Sequence, residues 1–573
     1  MSTSREYKGR SDIYYNDVSA DCLWMFSERP YGLGFSSWFV YLLPSAILLV
    51  ALRMHYLRSR PLPPGPPGLP FLGNIFQIPS RMAWVKFVEW SQEYGPIFSV
   101  NVAGQPVIVL NTFKVAADLL ERRSNVYSGR PRLVMAGEIL TDGMSPTLTP
   151  YGEKWRRIRR ALHESFSARA VQKYQAVQAR EAGFATMQIL RAPKTFAEHL
   201  RRAPAGSILS TVYGWPPISN KDDRILDRMN AHVTRQTETL APGRYMVNIF
   251  PVLKYLPTWM AKWKREGLEW HQQETELFTN FMNQVREKAA MGQATDTFAN
   301  ELLETQGRHG LTEKEVAWLA GTVLAAGGDT TFGTLLYFVQ AMVLYPEAMH
   351  RAQQELDNVV GRERLPAFND QKDLPYITAL VKEVLRWRPV APMSVPRVTT
   401  EVTNRSSWGH YHTQCLVGEP VASVKAMNRY FGECYIYLLT RLTSRRDPSI
   451  FPDFDDFRPE RFLDTIPEDT HSMGHTSFGF GRRICAGYNY ANQMLFITIA
   501  TILWALNIEN AKDVNGQPII PPRHDFIDSG VVVCVSFSST DIPVPFECEI
   551  SERFSGALSV LEREHAEETR ISM

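Results

Sequence analysis

Phe478-Gly479-Phe480-Gly481-Arg482-Arg483-Ile484-Cys485-Ala486-Gly487 is the stretch on which the reading of this chain turns. Its glycines allow a tight turn whose backbone can come close to a flat cofactor. An apolar run with helical character follows from Asn489 to Trp504, so Cys485 stands just ahead of a helix N-terminus. The partial positive charge there favours a thiolate over a thiol. A lone cysteine is more often a small buried hydrophobe than a ligand, so the rest of the chain has to decide its meaning.

Upstream, Thr312-Glu313-Lys314-Glu315 has the form of a capping box. The periodic run behind it passes through Val316, Leu319, Val323, Leu335 and Val339 to Tyr345, where Pro346 stops it. That is a helix about 50 Å long at the standard rise. In its middle lies Ala325-Ala326-Gly327-Gly328-Asp329-Thr330-Thr331, whose adjacent glycines cost roughly 2 kcal/mol relative to alanine. Such a cost points to a local reason. Either a widened turn leaves room above a cofactor, with Asp329 and Thr330 relaying protons, or the glycines form a notch for helix packing. Further helices are expected from Pro346 to Val360, ending at Gly361, and from Pro375 to Trp387, closed by Pro389. On the latter, Glu383 and Arg386 share a face. Read alone they are a solvated pair worth under about 1 kcal/mol. Ile97 to Leu110 alternates and breaks at Gly104-Gln105-Pro106, as a β-hairpin does.

Phe478, Gly481, Arg483, Cys485 and Gly487 together resemble the haem-ligand loop of the cytochrome P-450 family. The family's other elements follow in its own order. Trp155-Arg156-Arg157-Ile158-Arg159 resembles the Trp-x-x-x-Arg helix, Ala326 to Thr330 the oxygen-activation motif, and Glu383 to Arg386 the Glu-x-x-Arg pair. Phe457-Arg458-Pro459-Glu460-Arg461-Phe462 matches the segment that locks to that pair, with Arg461 as the third member. The resemblance covers roughly residues 61 to 540 and is nearest to microsomal eukaryotic members, in particular fungal ones of specialised metabolism.

It implies a mainly α fold with small β-sheets, the haem lying between the long central helix and the cysteine loop, preceded by one transmembrane helix. It implies haem b with Cys485 as axial ligand, contacted by Trp155, Arg159, Arg483, Phe478, Gly487 and Arg397. Asp329 and Thr330 become the catalytic pair, and Glu383, Arg386 and Arg461 a structural network. A thiolate pushes electron density onto iron and assists O–O cleavage. Electrons would come from NADPH through a cytochrome reductase, with cytochrome b5 as an alternative donor. Lys154, Arg156, Arg157 and Arg160 would serve an acidic donor or form a plain solvated face. The expected substrate is a lipophilic small molecule, over a lining drawn from Val134 to Leu140, the Ala325 turn, Val390 to Val395 and Val531 to Val533.

Composition is compatible with this. The chain has 573 residues, 44% hydrophobic and 11% aromatic, enough for a large core. Its 62 basic and 60 acidic residues nearly cancel and form no long like-charge block, so a nucleic-acid partner is not expected. Six cysteines are too few for a disulfide scaffold. Leu33 to Leu52 carries no charge and is long enough to span a bilayer core of about 30 Å. Arg53, Arg58 and Arg60 follow it, so a single pass with the globule facing the cytoplasm is expected; the resemblance to microsomal members implies the endoplasmic reticulum membrane. The expected divisions are an extension (1–32), an anchor (33–52), a basic and proline-rich connector (53–70) and a catalytic domain (71–573).

One segment departs from the family pattern. Between Thr400 and Arg446 the expected hairpin with its Gly-x-x-Ile-Pro-x-Gly turn is missing, although Arg446-Asp447-Pro448 is present. Residues 401–445 show neither strand alternation nor a helical period, and read as a retained intron or frameshift, or else as a true insertion. His410, His412, Cys415 and Cys434 have zinc-ligand types without zinc-ligand spacing. Two rival functions remain: a product impaired in haem loading by that segment, and a haem-thiolate isomerase or peroxygenase that needs no reductase. Asp329 and Thr330 favour reductive O2 activation over the latter.

Overall fold

The computed structural model describes residues 62–572 apart from 71, 80–82, 217–222, 241–243, 294, 400–435, 440–449, 464–472, 524–525 and 529–540, together with residue 45. The described strands and long helices all lie within residues 61–573. The expected anchor, all but Ser45, lies outside the described residues, as do the extension and the four zinc-type residues. Among the described residues no helix is long and apolar enough to cross a membrane.

Twelve helices of eight residues or more are described: α1 (Ala83–Tyr94), α2 (Glu153–Phe166), α3 (Gln175–Arg191), α4 (Phe196–Tyr213), α5 (Asp223–Leu240), α6 (Lys262–Ala290), α7 (Phe298–His309), α8 (Glu313–Leu344), α9 (Pro346–Val359), α10 (Pro375–Trp387), α11 (Tyr488–Ala505) and α12 (Ala557–Ser572). The sheets are small. Strands β1 (Ile97–Val102), β2 (Gln105–Leu110), β3 (Arg397–Val398) and β4 (Ile436–Leu439) form one in the order β1-β2-β4-β3. A second joins β5 (Leu506–Lys512), β6 (Pro518–Ile519) and β9 (Cys548–Glu552), and β7 (Phe526–Asp528) pairs with β8 (Asp541–Pro543). The hairpin is antiparallel with Ile97 opposite Leu110. β4 runs parallel to β2, Val107 opposite Ile436, and antiparallel to β3. The tail of the segment that lacked any strand pattern in sequence is thus a sheet strand. Four residues flanked on both sides by paired strands need no alternation of their own.

The central helix α8 starts and stops as its ends dictate. Glu315 N–H donates to Thr312 Oγ1 (3.2 Å) while Thr312 N–H donates to the Glu315 carboxylate (2.9 Å), a reciprocal cap. Pro346, which cannot donate to the helix, follows its end at Leu344. Helix α10 is capped from a distance: the Glu355 carboxylate on α9 accepts from the N–H groups of Tyr376 and Ile377 (2.8 and 3.0 Å).

Two cores meet along α8. Its first half, Val316 to Leu324, packs with residues of α2, α4, α6 and α7. Its second half, Leu335 to Val343, packs with α3, α9, α10 and α11. Between them Ala325 to Thr330 is only partly covered, and Ala326 is exposed. A helix sealed at both ends and open in the middle presents a working surface there. The connector is also more fastened than a free spacer would be. Ser99 N–H and Oγ–H donate to the carbonyls of Pro64 and Pro63 (2.9 and 2.7 Å), which tie the extended prolines to β1.

Trp318 is the bolt of the first core. It is wholly buried, donates through Nε1 to Thr275 Oγ1 (3.0 Å) and stacks on His271 at 5.3 Å. Trp318→Ala is expected to lower stability by about 3–5 kcal/mol and Trp318→Phe by about 1–2 kcal/mol, read by urea unfolding under far-ultraviolet circular dichroism.

Candidate active site

Cys485 lies two residues before Gly487, the cap of α11, and is exposed. Its N–H donates to Phe478 O (2.9 Å), closing the loop on itself. Gly481 has φ +55, and a Cβ there would fall 2.2 Å from Leu120 O, so only glycine lets the loop lie this close to the neighbouring backbone. Glu121 accepts from Gly481 N–H. Arg397, buried in β3, donates to Phe480 O (2.7 Å) and to the carbonyls of Leu120 and Tyr127 (3.3 and 3.4 Å). It stitches loop, sheet and the 120–127 turn together. Phe478 packs on the main core with its ring 6.2 Å from Tyr488.

Trp155, Arg159 and Arg483 meet beside this loop. The Arg483 guanidinium lies 4.4 Å over the Trp155 ring and donates to the carbonyls of Ser128 (2.9 Å), Pro146 (3.2 Å) and Thr149 (2.9 Å). Burial, with Arg397 and Arg159 close by, pushes it down to about 9. Burial lowers Arg159 as well, and the nearby Cys485 and Tyr488 groups pull the other way. Arginine stays charged across the physiological range, so the guanidinium groups of Arg159, Arg397 and Arg483 gathered here favour anionic oxygens nearby. Neither Arg159 nor Arg483 has an ion pair among the described residues. A sulfur beside a helix N-terminus and a gathering of arginines form a set that fits a flat, iron-bearing dicarboxylate. Haem is such a group.

Glu383 and Arg386 are 0% and 1% exposed, so the solvated-pair reading does not apply. Arg386 clasps Glu383 with two bonds (2.6 and 2.8 Å). Arg461 Nε–H adds a third to Glu383 Oε1 (3.2 Å) and Arg458 N–H a fourth (2.8 Å). Arg386 also donates to Phe454 O (2.9 Å), and Arg461 to Pro452 O (2.7 Å) and Asp453 O (3.1 Å). Helix α10 thereby grips the whole 452–461 meander. It holds the cysteine segment too, since Ser477 Oγ–H donates to Leu385 O (3.0 Å).

The expectation of a widened turn in α8 is not met: the helix runs unbroken from Glu313 to Leu344. The glycines serve packing, as a Cβ on Gly327 would lie 2.7 Å from Ile208 of α4. Thr330 Oγ–H donates back to Ala326 O (2.9 Å), and Asp329 pairs with Arg201 of α4 at 3.3 Å. A small, open hollow lies among α4, α5 and α8 and is lined by Ile208, Met229, Val233, Leu324, Ala325 and Asp329 among others. Of the expected linings that are described, only the Ala325 turn borders it. Val134, Met135 and Ile139 are packed against Tyr245 and Val247, Val395 against Leu133 and Leu148, and Val531 to Val533 lie outside the described residues. Long-range helix packing set these outcomes.

The expected donor face is largely committed. Lys154 pairs with Glu315 (3.2 Å), Arg156 with Glu153 (2.9 Å), and Arg157 donates to Gly310 O (2.9 Å), leaving Arg160 exposed on α2. Residues missed from sequence include Glu121, Arg458 through its backbone, and Arg201. None carries a local signal, because each acts on a partner distant in sequence. Glu383→Gln strips the charge that Arg386 and Arg461 share, and is expected to cost about 3–5 kcal/mol in equilibrium unfolding. A loss under about 1 kcal/mol would show the network to be dispensable.

Comparison with known proteins agrees with this geometry. The sequence model described as Cytochrome P450 matches residues 63–405 and 438–527. Cytochrome P450 monooxygenase 58 of Postia placenta is 47% identical over 522 residues, covering 90% of this chain and 93% of its own length. A cytochrome P450 monooxygenase of Armillaria gallica is 40% identical over 535 residues, covering 92% of this chain and 96% of its own. Among solved structures, a zebra fish cytochrome P450 with progesterone superposes with a TM-score of 0.64 at 23% identity, over 82% of this chain and 99% of that one, a likeness of fold. The chain belongs to the cytochrome P450 family and is a haem-dependent oxidoreductase of the monooxygenase class.

Proposed function

We propose that this chain oxidises a lipophilic small molecule with O2 in fungal specialised metabolism, its electrons coming from NADPH through a cytochrome reductase, with Cys485 as the haem ligand. The observation that carries the reading is Cys485 itself, exposed ahead of α11 and flanked by the Arg159, Arg397 and Arg483 cluster. A haem held there supplies oxygen activation at its iron, and the thiolate adds electron density. The chain does the rest. Arg159 and Arg483 would pair the propionates, with Trp155 the ring on which Arg483 is stacked. Phe478 and Gly487 shape the loop around the sulfur, and Arg397 keeps that loop in register with β3. Asp329 and Thr330 move protons along the open stretch of α8, and the apolar surroundings select a substrate with little charge.

Residues 33–52 support a membrane anchor, and the chain past it supports a resting place on the bilayer. Phe250, Val252, Tyr255, Trp259 and Met260 are all exposed within one short stretch ahead of α6. Aromatic and apolar side chains of that kind suit the interfacial region of an endoplasmic reticulum membrane. The full chain is expected to stay with the membrane pellet after alkaline carbonate washing, and its release would count against the anchor.

The intron reading of the irregular segment rests on a second observation: the family match lapses over 406–437 and resumes where β4 pairs with β2 and β3. Sequencing the transcript tests it, and a continuous message through this region would overturn it.

The reduced, carbon monoxide-bound difference spectrum tests the main reading. Wild type should show a thiolate-ligated haem, and Cys485→Ala should lose that signature while its far-ultraviolet circular dichroism is kept. A Cys485→Ala protein with the wild-type spectrum would overturn the ligand assignment.

A further inference from the structure

Helix α11 carries the cysteine loop at its start, and its far end is held by a segment beyond the family match, which stops at residue 527. After β9 the chain turns through Arg553 and Phe554 and enters α12. Arg553 N–H donates to Ala505 O (2.8 Å) and its guanidinium to Trp504 O (3.4 Å), two of the carbonyls that the last turn of α11 leaves without a helical partner. The same guanidinium, only 9% exposed as a side chain, donates to Gln353 O (3.1 Å) and to the Asp357 carboxylate (2.6 Å) on α9. Phe554 stands edge-on to the buried Trp504 ring at 4.9 Å, and the Arg362 guanidinium lies 5.1 Å over the Phe554 ring. Trp504 Nε1–H donates to Gly361 O (2.7 Å), and Ala557 and Leu561 of α12 join the main core.

One side chain thus ties the end of α9 to the end of α11. The character of α11 makes that tie matter to the sulfur. Every residue from Met494 to Ala505 is buried, most of them as hydrocarbon. Hydrophobic attraction has no direction, so it keeps the helix inside the core without fixing its position along its own axis. Among the described residues the polar bonds from α11 to other elements gather at its two ends. At the start Asn489 donates to Phe166 O (3.0 Å) and Tyr490 O accepts from Gln178 (3.1 Å); at the finish stand the Gly361 and Arg553 bonds. The helix is a stiff rod about 27 Å long at the standard rise, so a slip at Trp504 is passed along it to Gly487 and the cysteine just ahead.

We infer that the turn at Arg553 together with α12 is a clasp on the far end of α11, and that Arg553 is a positioning residue which, through that helix, keeps the Cys485 sulfur in register with the haem iron. This rests on Cys485 as the ligand and extends the site to a residue a whole helix away.

The test uses the full-length, haem-loaded protein in urea too dilute to unfold it, with far-ultraviolet circular dichroism showing that the fold is kept. Two quantities are followed: the rate at which the thiolate-type carbon monoxide spectrum decays, and amide hydrogen exchange along α11. Arg553→Gln removes charge-assisted bonds at the helix end, and is expected to speed the decay about tenfold and to speed exchange between Met494 and Ala505. Glu562→Gln breaks the exposed 2.7 Å pair between α12 and Arg191 of α3 without touching α11, and should stay within about twofold of wild type. Arg553→Lys keeps a charge beside Asp357 but loses the fork, and should decay about threefold faster than wild type. It carries the test if Arg553→Gln does not fold. Decay at the wild-type rate in the Arg553 variants, or wild-type exchange along α11, would overturn the clasp. So would decay in Glu562→Gln as fast as in Arg553→Gln, which would make the effect a general loosening. A freshly loaded wild type without the thiolate-type spectrum would instead strike the ligand reading, and the exchange along α11 would still judge the clasp.

Discussion

The Glu383 carboxylate, sealed from solvent and shared by Arg386, Arg461 and the Arg458 N–H, is the constraint from which the site is built. Burying an ionised carboxylate is costly, and only saturation of its oxygens by charge-assisted bonds makes it tolerable. Such saturation is demanding in geometry. It requires α10 and the 452–461 meander to sit in one relative placement, and Arg386 and Arg461 extend that demand to the carbonyls of Pro452, Asp453 and Phe454. Because Ser477 is bonded to the same helix through Leu385 O, the route into the cysteine loop inherits the placement.

The loop itself is held from the other side by Arg397 and Glu121, so Cys485 is suspended between two scaffolds, α10 and the four-stranded sheet. This explains how an exposed sulfur can be accurately placed without being packed. Its neighbours are fixed through backbone carbonyls and N–H groups. The arginines nearby follow a related logic. Arg483 is stacked on Trp155 and bonded to three carbonyls, a setting that keeps a buried guanidinium oriented while leaving its charge uncancelled.

The central helix shows a division of labour along its length. Its two halves are ordinary core, mostly apolar and locked into separate hydrophobic clusters. Its middle has small side chains, polar groups bonded back into the helix and one outward carboxylate. The glycines that looked in sequence like a distortion instead let α4 come close, and that approach is what delivers Arg201 to Asp329.

Local rules sufficed for the elements and for the chemistry of single positions. The Thr312 cap, the stops at Pro346 and Pro389, the hairpin from Ile97 to Leu110 and the turn ahead of α11 each depend on neighbours within a few residues. The order of the motifs carried the family identity, and with it the grouping of Glu383, Arg386 and Arg461. Tertiary structure alone decided burial and partnership. It turned an i, i+3 pair into a sealed network, moved Val134 to Leu140 into core packing, made a strand of Ile436 to Leu439 and gave Asp329 its arginine. The physical reason is that these depend on how far α4, α10 and the sheet approach one another. That distance is set by the sum of many side-chain volumes across the fold, and no single stretch of sequence encodes it.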